Sequence, residues 1–289
     1  MKPSICSFLF GRIAIAVSLL FAVLAPAAYA VSLYDTSGNF TWGNASQFEI
    51  LTLGSGTSGG FTLSAPSGST GYEITGNVGI AGTSSNFNIS GSADVNGTIY
   101  LNTGDKVIKS GAATISGATI TNSGTLLNSA ATSAINISSL AASATQTNNW
   151  IPDDLNLGSN ATLTLNSTGH FVMNLDDLIL GGGAGKAGAV LTLNGGVNST
   201  FIFNINGDLN VGGGAKILLT GGIRASDVIF NLIGCDSNAQ ITGDALVNGT
   251  ILAVSGSVLV SGHDTQINGQ IIAQQVCIQS GADADKMSP

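Results

Sequence analysis

Apolar residues occupy every second position in short runs along this chain. Thr162-Leu163-Thr164-Leu165, Phe201-Ile202-Phe203-Asn204-Ile205 and Val228-Ile229-Phe230-Asn231-Leu232 all alternate in this way. A period of two sends successive side chains to opposite sides of a pleated strand. These runs predict strands with Leu163, Leu165, Phe201, Phe203, Ile205, Val228, Phe230 and Leu232 turned to a core. Gly212-Gly213-Gly214 and Gly221-Gly222 punctuate them and supply corners turned within two or three residues.

The runs repeat at longer range. Asn248-Gly249-Thr250-Ile251-Leu252-Ala253 returns 20 residues later as Asn268-Gly269-Gln270-Ile271-Ile272-Ala273. Asn96-Gly97-Thr98-Ile99-Tyr100-Leu101 carries the same signature, and Gly76-Asn77-Val78-Gly79-Ile80-Ala81 is a looser copy before it. Each copy leads into a second apolar run and a glycine corner, as in Ser257-Val258-Leu259-Val260-Ser261-Gly262. Repeats of this length suit one coil of a β-solenoid with three short strands, each coil burying its inward side chains on its neighbours.

One segment departs from the β pattern. Thr125 to Thr147 contains no Gly or Pro, and Leu127, Ala131, Ala134, Ile137, Ala141 and Ala144 recur at spacings of three and four. That stripe predicts one helix over 125–147, ended by Asn148-Asn149-Trp150-Ile151-Pro152. Its Ser and Thr make it weak alone, so it needs the solenoid to pack on.

The N-terminus reads as an export signal. Lys2 and Arg12 precede an apolar stretch, Ile13 to Val23, and Ala28-Tyr29-Ala30 places cleavage before Val31. The stretch falls short of the about 20 apolar residues of a membrane anchor, so no insertion is expected after cleavage. Cys6 lies ahead of the apolar core and not at a lipoprotein cleavage site. The expected organisation is a signal over 1–30, β-coils over 31–124, the helix over 125–147, further coils over 148–281 and a short polar tail over 282–289. Residues 31–281 are expected to form one continuous domain, secreted or held at the cell surface.

Composition limits the partners. The 16 acidic residues outnumber 8 Lys and Arg, and the scattered cations form no basic patch for nucleic acid or anionic lipid. With 44% hydrophobic and 8% charged residues the chain folds but carries a sparsely charged surface. Cys235 and Cys277 remain after cleavage and are a disulfide candidate in an exported protein; two buried thiols are the alternative.

Candidate chemistry is thin. Asp153-Asp154 and Asp176-Asp177 are adjacent carboxylates, but strand neighbours point to opposite faces. With 20-residue coils, no second carboxylate falls in register to complete a glycosidase pair. His170 stands alone, and His263-Asp264 in the Gly262 corner reads as a solvated loop, not as part of a triad. Two histidines make no zinc set, and the isolated Asp227 and Asp236 make no calcium-binding β-roll. Gly181-Gly182-Gly183-Ala184-Gly185-Lys186 lacks the first Gly and the final Ser or Thr of a phosphate loop, having Leu180 and Ala187 there. No catalytic, cofactor-binding or metal-binding residue is assigned, and no enzyme activity or cofactor is expected.

The stretch Gly207 to Gly222, with its Gly212-Gly213-Gly214 corner, resembles the C-terminal half of bacterial ice-binding-like proteins. The likeness continues through Ala225 to Gly234 and the Asn248 and Asn268 coils. The coils from about Phe48 to Leu101 look more like the choice-of-anchor A domain of bacterial surface proteins. The resemblance implies a mainly β protein, a right-handed parallel β-helix with one long helix alongside. It leaves function open among adhesion through an extended outer face, true ice binding, and, more distantly, polysaccharide cleavage. The partner is then an extracellular surface, a glycan, ice or a second copy. An ice face calls for a regular outward array, and Thr162, Thr164 and Thr192 do not recur at a 20-residue period, so no binding residue is assigned.

Overall fold

The structure is a computed structural model and describes residues 32–56, 60–66, 72–147, 153–183, 187–262 and 264–279, with the backbone of 286–288. The export signal, residues 148–152, Lys186 and His263 lie outside the described residues. Residues 33–289 form one compact unit.

All pairings between the described strands are parallel, apart from the isolated antiparallel bridge of Tyr34 with Phe40, and they build a three-sided solenoid. Its third side, here called face C, is a nine-stranded sheet running from Thr162–Ser167 to Thr114–Ile115. The other two sides belong to one 16-stranded sheet that bends within Thr250–Ser261 and Ile271–Gln279. Face A runs from His170–Leu175 to Thr119–Ile120, and face B from Asp154–Leu157 to Lys106–Lys109. Inward residues from all three meet in one core; Phe201, Phe203, Ile205, Val228 and Phe230 are fully buried. Leu163 is only partly buried because its coil ends the stack.

The order of coils does not follow the order of the chain. Ile50 starts mid-stack, and the chain steps through Val78 and Ile99 to Thr119 at one end. It re-enters at the far end at Asp154 and winds back until Ile271 lies beside Ile50. At this junction Ile271 N–H donates to Glu49 O at 2.8 Å, and Leu53 N–H donates to Ala273 O at 2.8 Å. The winding is continuous there although the two coils are far apart in sequence.

Helix α1, Gly124–Ala142, returns the chain along face A. Its 19 residues span about 28 Å, roughly six strand spacings. Leu127, Ala130, Ala134, Ile137 and Ala141 are buried against Leu51, Val172, Ile202, Ile229, Leu252 and Ile272. The small residues let the helix lie close to the sheet. Ala130, not Ala131, completes the buried stripe. The helix also ends five residues before the expected 147, because Thr147 leaves it for the edge of face A. Thr147 N–H donates to Val172 O at 3.2 Å, and Val172 N–H donates to Thr147 Oγ1 at 2.9 Å.

An amide ladder, buried at Asn204 and Asn231, fastens α1. Asn204 Nδ2 donates to Asn174 Oδ1 at 3.0 Å and to Ala141 O at 2.8 Å. Asn231 Nδ2 donates to Asn204 Oδ1 at 2.9 Å and to Ser138 O at 3.0 Å, while Ser138 Oγ donates to Asn231 Oδ1 at 2.7 Å.

Three expectations are corrected here. Coils of 20 residues hold for Asn248 and Asn268, but Asn166 reaches Asn194 after 28 and Asn174 reaches Asn204 after 30. The longer coils carry extra corner residues, such as the 3₁₀ turn Ala225–Asp227. The tail over 282–289 is not all tail, since Lys286–Ser288 fills the face C slot between Gln266–Asn268 and Glu73–Thr75. Finally, Cys277 is a free thiol and not the partner of Cys235. Its side chain stands in the outward row of Ile271–Gln279, between Leu259 and Thr62.

The glycine of the recurring Asn-Gly step is a packing requirement. A Cβ at Gly97 would run into the carbonyl oxygen of Gly76 one coil below, and a Cβ at Gly269 into that of Gly249.

Replacing Asn231 by Ala strands Asn204 Oδ1 and Ser138 Oγ in a dry interface. Urea denaturation is expected to show a loss of about 2–3 kcal/mol. A change near zero would mean that the amide ladder does not hold α1.

Candidate functional site

Face A is occupied by α1, which leaves faces B and C to meet a ligand. Along the middle of face B one outward row runs Asn156, Ile179, Asn210, Gln240, Leu259, Cys277, Thr62, Asn88, Ile108. No member is charged. Beside it run Thr242, Ser261, Gln279, Ser64 and Ser90, with Ser90 Oγ donating to Ser64 Oγ at 3.0 Å. Burial pushes the Cys277 thiol above its ordinary pKa, so it stays neutral in this row. Parallel pairing holds these side chains at the strand spacing of about 4.8 Å.

The other border of face B is acidic at Asp154, Asp177 and Asp208 and ends in Lys106. Asp154 pairs in register with Asp177, contrary to the expectation of no second carboxylate. The coil there is 23 residues long, which hid the match. Asp177 N–H donates to Asp154 Oδ1 at 3.2 Å, Asp208 N–H to Asp177 Oδ1 at 2.6 Å, and Asn238 N–H to Asp208 Oδ1 at 2.9 Å. Asn238 Oδ1 in turn accepts from Ser257 N–H at 3.2 Å and Ser257 Oγ at 2.6 Å. These oxygens tie the start of each strand to the coil below. They line one edge and do not face each other across a cleft, so they are no glycosidase pair.

Face C is chemically mixed. Thr164 does pair with Thr192, again through a coil of 28 residues, but the row continues into Leu218. Thr162 is followed by Val190, Lys216, Leu246 and Gln266, and Glu73 and Asp94 stand farther along. Charges of both signs cross this face.

An open groove of about 850 Å³ follows the corner between faces B and C. Gly182, Gly188, Gly213 and Gly243 form its walls, with Lys216, Asp244, Asp264 and Gln266 beside them. It brings carboxylates and a lysine together, as polysaccharide cleavage would ask. All of those charged side chains are exposed, however, and a general acid for that reaction is a carboxyl taken out of water.

His170 Nδ1 lies 2.9 Å from Thr200 Oγ1, and its ring stacks on Tyr34 at a centroid distance of 3.7 Å. Among the described residues no carboxylate is bonded to it. Asp227 accepts the Arg224 N–H at 2.8 Å and caps a turn. Among the described residues no group of three or more metal-ligating side chains comes together, and no helix is long and apolar enough to cross a membrane.

The chain belongs to the ice-binding-like adhesive domain family, whose match covers residues 35–283. That one match spans both halves of the solenoid, and no separate choice-of-anchor A domain is found over the N-terminal coils. Among solved structures, an ice-binding protein from an Antarctic Flavobacteriaceae bacterium is 21% identical with a TM-score of 0.55, covering 85% of this chain and 46% of that one. A glycosylated ice-binding protein from an Arctic yeast is 17% identical with a TM-score of 0.54, covering 88% and 95%. One from an Antarctic biological consortium is 18% identical with a TM-score of 0.52, covering 91% and 96%. At such identities the likeness is one of fold. No curated protein matches the chain.

The strongest titration effect lies away from these faces, at the junction of the two stacks, and the sequence carried no signal for it. Glu49 is 4% exposed, its Oε1 has no hydrogen-bond partner, and burial raises its pKa from 4.5 to about 8. Between those values the folded chain holds a proton that the unfolded chain has lost. Stability is therefore full below about pH 4.5 and falls as pH rises to about 8, by at most about 1.4 kcal/mol per unit. Thermal melts at pH 5 and pH 8 check this, and Glu49→Gln is expected to flatten the difference. An unchanged pH slope in that variant would remove Glu49 as its source.

Proposed function

We propose that this chain is a non-catalytic extracellular binding protein that adheres to an ordered, neutral surface through face B. The observation that carries the reading is the uncharged outward row from Asn156 to Ile108, kept in register through nine coils. A charge pressed against a neutral solid loses water without gaining a partner, so a face free of charge docks at least cost. The alternation of amides with Ile179, Leu259 and Ile108 offers hydrogen bonds and apolar contact together, as a neutral polysaccharide surface requires. The export signal read from residues 1–30 is in keeping with this location.

A second reading is ice binding, favoured by the hydroxyl row Thr242, Ser261, Ser64 and Ser90 and by the descriptions of the proteins that share the fold. Gln279 interrupts that row, and the central row repeats no single group at the coil spacing. Adhesion therefore stands first.

Wild-type protein, the face B variant Gln240→Lys/Leu259→Lys and the face C variant Thr192→Lys should be compared for uptake onto cellulose, chitin and growing ice. Wild type and the face C variant are expected to bind a polysaccharide, and the face B variant to lose at least tenfold. Uptake into ice with faceting of the crystals would put the second reading first. Binding to none of the three, equal loss in both variants, or release of reducing sugar would contradict the proposal.

A further inference from the structure

A parallel solenoid has two ends, each exposing unpaired backbone that can receive another coil. The two ends of this one differ in chemistry. At the end formed by 103–120, the inward row of face B finishes in Lys109; every earlier position in that row, from Leu157 to Ile89, is apolar. The inward row of face A likewise changes from Ile99 to Thr119. At the opposite end the inward residues of faces B and C, Leu155, Leu157, Leu163 and Leu165, stay apolar, and no further strand pairs with Asp154–Leu157 or Thr162–Ser167 among the described residues.

We infer that Lys109 keeps these two ends, otherwise complementary, from stacking head to tail between copies of this chain. Stacking the far end of a second copy on the 103–120 coil continues each row in register. Lys106 then faces Asp154, both exposed and opposite in charge, and Val107 faces Leu155, both apolar. Lys109 faces Leu157 and becomes a cation enclosed between Leu157 and Ile89 with no anion beside it. That cost outweighs the matched pairs. Coils that are distant in sequence do stack in this fold, as Ile50 on Ile271 demonstrates within the molecule. Lys109, exposed at present, is what separates the end of the solenoid from its own internal junction. At the far end Thr147 already occupies the edge of face A, so contact falls on faces B and C.

Light scattering after size exclusion, over a wide range of concentration, tests this on the wild type, Lys109→Ile and Lys109→Ile/Asp154→Lys. The wild type is expected to keep the mass of one copy throughout. Lys109→Ile is expected to melt no lower than wild type and to at least double its apparent mass as concentration rises. The added Asp154→Lys sets Lys106 against a like charge and returns the mass to one copy. A well-folded Lys109→Ile that stays single at every concentration would overturn the inference. So would growth that Asp154→Lys leaves untouched, or wild-type protein that already stacks through 106–109.

Discussion

A strand in a parallel stack leaves one ladder of N–H and C=O groups for the coil above and one for the coil below. Every coil inside the stack must therefore find two neighbours, whatever their distance along the chain. Here the first coil finds one of its neighbours in the last, through Ile50 with Ile271 on face A and Phe61 with Val276 on face B. The rest follows from that pairing. The chain begins in the middle of the stack, so it has to travel back along the outside, and α1 is that return path. The helix packs on face A and leaves faces B and C uncovered by it.

The three faces are specialised by what stands outward on strands that all look alike inward. Asn204 and Asn231 point out of face A and hold the helix, buried where unpaired amides would be costly. Face C mixes Lys216, Glu73 and Asp94. Face B keeps its charges to one border, where Asp154, Asp177 and Asp208 spend their oxygens on backbone amides of the next coil. A neutral strip remains, and it is the feature on which the adhesive reading rests.

Inward rows were legible in the sequence because alternation is local: Phe201, Phe203 and Phe230 are buried as the pattern requires. The helix was legible for the same reason, apart from its last turn, where Thr147 answers to Val172 on another element. What could not be read was anything fixed by pairing at a distance. Nothing in the residues around Ile50 announces Ile271. The repeat of Asn248 at Asn268 suggested a constant coil of 20, and that period concealed the register of Asp154 with Asp177 and of Thr164 with Thr192. The same distance effect hid Glu49, an acid made conspicuous only when the junction buries it, and the strand Lys286–Ser288, whose place exists only once two stacks meet.

Hydrogen exchange under native conditions tests the continuity of the winding most directly. The amides of Ile271, Leu53 and Gly54 donate across the junction, and those of Ile205 and Val211 sit within the C-terminal stack. The junction amides are expected to exchange as slowly as the others and with the same dependence on denaturant, as one cooperative unit. Faster exchange at Ile271, Leu53 and Gly54, with the two stacks opening at different denaturant concentrations, would contradict a single continuous solenoid.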